Sequence, residues 1–169
     1  MVNTMRILGI DTSLRSTGIG IIDVAGSRLI PVYYGTIKNP ATRPLSGCLV
    51  HLQDELEKLI DAHTPEVVAI EGVFYAKNVK TMMILTHARG VAIAQATRKG
   101  LPVYEYEPRR VKQAVVGWGA AEKEQVQSMV KTLLNLPEKP QNDAADGLAL
   151  AITHAHNQTH IAVRSDEPI

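Results

Sequence analysis

The sequence predicts an α/β fold, a five-stranded mixed sheet with helices on both faces. Two apolar runs, residues 6–11 and 67–71, each end on an acid as buried strands do. Two closely spaced strand-like runs follow the first of them, and helical periodicity occupies most of the remaining chain.

In order, residues 6–11 (RILGID) are apolar up to Asp11, the pattern of a central strand. Residues 18–24 and 29–35 read as two further strands about a turn at Ala25-Gly26-Ser27, close enough for an antiparallel meander. After a loop holding Pro40 and Pro44, Leu49, Leu52, Leu56, Leu59, Ile60 and His63 recur at helical spacing, with Ser46 as the expected cap. Residues 67–71 (VVAIE) form a second buried strand, ending on Glu71. A helix is expected from about Asn78 to Lys99, stopped by Gly100 and Pro102, with a fifth strand at 103–106. Pro108 opens a short helix, 122–135 forms another, and Pro140 opens a last one reaching about Asn157. Right-handed crossovers place the strand ending in Glu71 beside the strand ending in Asp11. Both acids then project from the carboxyl ends of neighbouring strands, where α/β sheets form their sites. This element order is that of the ribonuclease H-like architecture, expected as one domain over residues 1–169.

Composition bounds the function. The 169 residues, 45% hydrophobic and 21% charged, suit one folded core and argue against disorder. A single cysteine, Cys48, excludes an intramolecular disulfide and fits a reducing compartment. No apolar run approaches the ~18 residues of a membrane span, and the first strand begins too early to leave room for a signal peptide. The expectation is a cytoplasmic chain without membrane association. Net charge is +1, from 18 Lys and Arg against 17 Asp and Glu. Four acids set aside for metal leave 13 against those 18, net +5. The segment 98–131 concentrates seven of the basic residues, among them Lys112 and Lys123, a face suited to a polyanion.

Asp143-Ala144-Ala145-Asp146 joins Asp11 and Glu71 as the third acidic element. Three residues apart on a helix, these aspartates share a face and repel by a few tenths of a kcal/mol unless a cation sits between them. Their neighbours Ala144, Ala145 and Gly147 are small, and Gly147 costs about 1 kcal/mol of helix propensity relative to Ala. Close approach of this helix to the sheet is therefore expected. Oxygen donors without a cysteine cluster select Mg²⁺ or Mn²⁺ over Zn²⁺. Such a site suits phosphodiester cleavage, one ion activating the attacking water and another stabilising the leaving 3′ oxygen.

With these residues the chain resembles the RuvC family of Holliday junction resolvases. The likeness runs through residues 7–11, 69–78 (AIEGVFYAKN), 88–92, 111–117, 121–127 and 143–154 (DAADGLALAITH), in order and over nearly the whole chain. The resemblance implies a Mg²⁺-dependent endonuclease with two ions per site, Mn²⁺ substituting, ligated by Asp11, Glu71, Asp143 and Asp146. It implies a homodimer that nicks opposing strands of a four-way DNA junction symmetrically, leaving 5′-phosphate and 3′-hydroxyl ends, in recombination and repair. A branch-migration helicase complex is the implied partner. Lys112 and Lys123 resemble the family's phosphate-contacting lysines, and Phe74, with Tyr75 and Lys77 beside it, the aromatic that stacks on unpaired bases. Thr12-Ser13 departs from the Pro-Gly or similar pair usual after the first aspartate.

Other residues read more plainly. Trp118, in Gly117-Trp118-Gly119, either packs or lines a DNA groove. His154, His156 and His160 are expected at the surface rather than on metal. Met82, Met83 and Leu85 suit a core or a dimer interface. An actin-like or sugar-kinase-type ATPase would also open on a strand, an Asp and a Ser/Thr loop, but needs two such domains. A non-catalytic junction-binding module would be expected to have lost an acid, and all four are present. A related nuclease acting on RNA shares the same signals.

Overall fold

The computed structural model describes residues 3–73, 77–159 and 167–169. Its strands are β1 (Thr4–Asp11), β2 (Ser16–Ala25), β3 (Arg28–Lys38), β4 (Val67–Glu71) and β5 (Val103–Tyr106). Its helices are α1 (Leu45–His63), α2 (Val79–Arg98), α3 (Pro108–Val116), α4 (Lys123–Leu133) and α5 (Asn142–Thr159). One sheet runs in the order β3-β2-β1-β4-β5. β1, β2 and β3 pair antiparallel, whereas β4 lies parallel to both β1 and β5. Asp11 and Glu71 thus end adjacent parallel strands, whose last paired residues are Ile10 and Ile70.

The period of two along each strand divides the core. Leu8 and Ile10 of β1, Ile19 and Ile21 of β2, and Val68 and Ile70 of β4 face α1 and α2, whose Leu52, Leu56, Ala88, Ala92 and Ala96 complete that layer. Ile7, Ile22, Val67 and Ala69 face the other way, against α3, α4 and α5. Counting on by two from Ile7 and from Val67 puts Asp11 and Glu71 on this second face. The alternation that buries the core therefore also aims both carboxylates at α5.

α5 lies on the sheet at backbone contact. A Cβ on Gly9 would stand 1.9 Å from the Gly147 carbonyl oxygen, and one on Gly20 would stand 2.3 Å from the Leu148 nitrogen. A Cβ on Gly18 would stand 1.8 Å from the Asp143 carbonyl oxygen, and one on Gly147 would meet Ile19 and Gly20 backbone within 3 Å. Gly9 and Gly20 are cross-strand partners, as are Asp11 and Gly18. The bare patch they form on β1 and β2 is the seat of α5, and it sets Asp143 over Asp11.

Two local readings change. Ser46 does not cap α1: the helix begins at Leu45 with Pro44 as its N-cap and no side-chain cap, so Ser46 lies inside the first turn. His154 is buried rather than at the surface, because α5 is covered from Leu148 to Ala155 by the sheet and by α3 and α4. Its Nδ1 is 2.7 Å from the Tyr106 hydroxyl, and its ring packs at a tilt against that of Tyr104, 4.7 Å between centroids. His156 is half-buried, its Nδ1 2.9 Å from the Ala114 carbonyl, and His160 lies outside the described residues. Cys48 is a buried free thiol. No helix among the described residues is long and apolar enough to cross a membrane.

Candidate metal centre

Asp11, Asp143 and Asp146 each offer a carboxylate oxygen, and the three atoms lie within 4.8 Å of one another. Glu71 is outside that group but shares a hydrogen bond with Asp11, Asp11 holding the proton and Glu71 accepting, and it feels the charge of Asp146. Asp11 is thus common to both halves of the cluster. Asp143 sits in the first turn of α5, where the free N–H groups favour a negative charge. The Ser16 hydroxyl donates to Asp143 Oδ2 at 2.5 Å, fixing that carboxylate from the start of β2.

The cluster opens into a cleft of about 340 Å³. Asp11, Glu71 and Asp146 line it together with Pro108, Val111 and Lys112 of α3 and Lys123 and Val126 of α4. Lys123 Nζ lies 3.0 Å from Asp146 Oδ2, and the positive charge of Lys112 acts on Glu71. A capping box between Glu122 and Gln125 sets the first turn of α4 and hence the position of Lys123. The loop after Asp11 is closed by Thr17, whose hydroxyl accepts from the Ser13 N–H at 3.2 Å and donates to the Ser13 carbonyl at 2.6 Å. Thr12 is buried, and the Ser13 main chain is held at both its N–H and its carbonyl by Thr17.

Crowded carboxylates in a partly desolvated site resist ionisation. Burial first, then the charges of Glu71 and Asp146, push the Asp11 carboxyl from an ordinary 3.8 up to about 8. Glu71 is raised as well, chiefly by burial, against the lowering effect of its hydrogen bond with Asp11. Lys123 is raised by its hydrogen bond to Asp146. Between about pH 4 and pH 8 the folded chain holds a proton on Asp11 that the unfolded chain has released, so metal-free stability falls as pH rises across that window. A bound cation prefers the ionised acids and reverses the trend. Melting curves at pH 6 and pH 8 should show a lower metal-free Tm at pH 8 and a larger Mg²⁺-induced rise there. A metal-free Tm that does not fall toward pH 8 contradicts this picture of the cluster.

Of the other residues singled out in the sequence, Lys77 is exposed just before α2, whose N-cap Asn78 accepts from the Thr81 N–H. Phe74 and Tyr75 lie outside the described residues. Trp118 is 60% exposed in the α3–α4 turn, which decides against a packing role. Met83 is exposed, and Met82 and Leu85 are half-buried. Ser16 escaped the sequence reading. Its signal was its place at the head of a strand beside Asp11, readable only once α5 is known to cross there.

A family model described as "Crossover junction endodeoxyribonuclease RuvC" matches residues 7–154. The chain is 52% identical over 153 residues to the protein of that name from Citrifermentans bemidjiense, covering 90% of this chain and 93% of the relative. It is 44% identical over 160 residues to that from Brevibacillus brevis, covering 94% and 96%. Among solved structures it resembles T. thermophilus RuvC in complex with Holliday junction substrate, with a TM-score of 0.90, 30% identity, and coverage of 98% of this chain and 99% of that one. Matched over most of its length in sequence and in fold, the chain belongs to the RuvC family of crossover junction endodeoxyribonucleases.

Proposed function

We propose that the chain resolves four-way DNA junctions by paired hydrolytic nicks, with Asp11, Glu71, Asp143 and Asp146 holding two Mg²⁺ ions for which Mn²⁺ substitutes. The observation that carries this is the convergence of Asp11, Asp143 and Asp146 within 4.8 Å, with Glu71 hydrogen-bonded to Asp11, beside a cleft that Asp11, Glu71 and Asp146 line together with Lys112 and Lys123. The donors fit such ions: they are carboxylate oxygens, and no cysteine or histidine joins the group among the described residues. Divalent cations bound there supply Lewis acidity for activating a water and for stabilising the leaving 3′ oxygen.

The chain's own residues bind and orient. Asp11 is shared between the two halves of the site, and Ser16 holds Asp143 in register with it. Lys123 pairs with Asp146, and Lys112 lines the same cleft as Glu71 and acts on it through its charge; once cations neutralise those acids, both ammonium groups are free to meet phosphate. Phe74, followed by Tyr75 and Lys77, is assigned by resemblance to a base unstacked at the crossover, at about 1–3 kcal/mol per stacked base. Paired nicks require two sites, and a second copy over exposed Val79 and Met83 of α2 would supply a two-fold dimer. A branch-migration helicase complex in the cytoplasm is the partner this activity implies.

Incubation with a synthetic four-way junction and a linear duplex of the same sequence, with and without Mg²⁺, tests the proposal. Symmetric nicks that a ligase can seal, in the junction and only with Mg²⁺, are expected; equal cutting of the duplex, or cutting without metal, contradicts it. Lys112→Ala and Lys123→Ala should each weaken binding to junctions of any sequence and reduce the slope of log K against log salt by about one unit. An unchanged slope returns that lysine to the solvated surface.

A further inference from the structure

We propose that Arg89, paired with Glu105, is a positioning residue that sets the metal-facing end of β4 through the main chain of Glu71; this rests on the metal-holding role proposed for Glu71. Arg89 is on α2, on the face of the sheet opposite α5, and its side chain is only 14% exposed. Its Nε donates to the Glu71 carbonyl oxygen at 3.2 Å, and its Nη2 forms an ion pair with Glu105 Oε2. Glu105 belongs to β5, where it is the register partner of Ile70, one residue before Glu71. Its carboxylate folds back over the strand end, 3.3 Å from where a Cβ on Gly72 would stand. One guanidinium therefore ties α2, β4 and β5 together at the residue where β4 leaves the sheet.

The chemistry explains why an arginine stands here. A rigid fork holds a carbonyl and a carboxylate at once in fixed directions, whereas an ammonium is a point charge that fixes neither direction. Partly desolvating a guanidinium contributes little net stability, since Coulombic gain offsets the loss of hydration. What the pair does contribute is geometry. The Glu71 side chain emerges on the opposite face of the sheet, so restraining its main chain restrains the direction of its carboxylate toward Asp11. Residues that orient a metal ligand in this way typically change metal affinity by about 10–100-fold when removed.

The test uses the full-length chain and reads metal binding apart from cleavage. Mn²⁺ affinity is followed by the electron paramagnetic resonance of the free ion, alongside Tm, metal-free junction binding, and the Mg²⁺ concentration giving half-maximal cleavage. Arg89→Ala should weaken Mn²⁺ about tenfold and raise the half-maximal Mg²⁺ similarly, with junction binding unchanged. Arg89→Lys should recover only part of the affinity. A structural role alone would lower Tm and leave Mn²⁺ affinity at the wild-type value, and that result overturns the proposal. Should Arg89→Ala not fold, Glu105→Ala decides in its place, with a several-fold loss of Mn²⁺ affinity expected and wild-type affinity overturning the proposal. A wild-type chain that binds no Mn²⁺ and cuts no junction would instead overturn the metal-holding role of Glu71, and the Arg89 assignment with it.

Discussion

Asp11→Asn is expected to reduce junction cleavage by more than about a thousandfold, while junction binding persists or tightens. A thousandfold corresponds to ~4 kcal/mol of transition-state stabilisation. The substitution keeps the shape of the side chain and removes the one acid that both belongs to the aspartate group and hydrogen-bonds Glu71, so the proposed metal site loses charge at its centre. It also removes the carboxylate that is hardest to ionise, the one held up to about 8 by burial and by Glu71 and Asp146. Metal-free stability at pH 8 should therefore rise, and repulsion of phosphate should fall. The combination separates loss of chemistry from loss of fold: single-turnover cleavage collapses, the gel shift of the junction is retained, and Tm increases. Cleavage within tenfold of wild type at saturating Mg²⁺ would show that Asp11 is not a metal ligand.

Gly9→Ala is expected to damage both fold and activity, though it lies two residues from the nearest acid and carries no functional group. The added Cβ would stand 1.9 Å from the Gly147 carbonyl oxygen and 2.8 Å from the Ala151 nitrogen, both backbone atoms with no flexible end to swing aside. α5 must lift from the sheet, at a cost near or beyond the ~3 kcal/mol upper end for overpacking. Because α5 carries Asp143 and Asp146, the same displacement draws them from Asp11, and a shift of about 1 Å in reacting groups costs ~100-fold in rate. Gly90→Ala is the control. A Cβ there meets nothing within 4 Å, so it should be neutral or stabilise α2 by up to about 1 kcal/mol. Wild-type Tm and cleavage in Gly9→Ala would refute the seat assigned to α5.

The parts of this site legible in the sequence are those with a one-dimensional signature. Asp11 and Glu71 stand out because each ends an otherwise apolar strand, and Asp143 and Asp146 because two acids on one helical face need a reason to be there. The pairing of the Glu71 strand with the Asp11 strand was inferred from crossover handedness, whereas the full order β3-β2-β1-β4-β5 came with the structure. Gly147 was readable as a mark of close approach, whereas Gly9, Gly18 and Gly20 were not. In a strand a glycine reads as a weak position, and its purpose appears only when another backbone occupies the missing side-chain volume. His154 was misread for a related reason: a helix buried around most of its circumference loses the amphipathic pattern that separates core from surface. Arg89 and Glu105 are sixteen residues apart, and their joint action on Glu71 exists only after α2 and β5 have closed around β4.

Whether these four carboxylates hold the divalent cations of a junction nuclease is decided by anomalous scattering. Crystals of the chain with an uncleavable four-way junction, grown with Mn²⁺, should show anomalous density within the cluster of Asp11, Glu71, Asp143 and Asp146. Peaks absent from this cluster while the junction is bound, or ions held by other residues, would contradict that assignment.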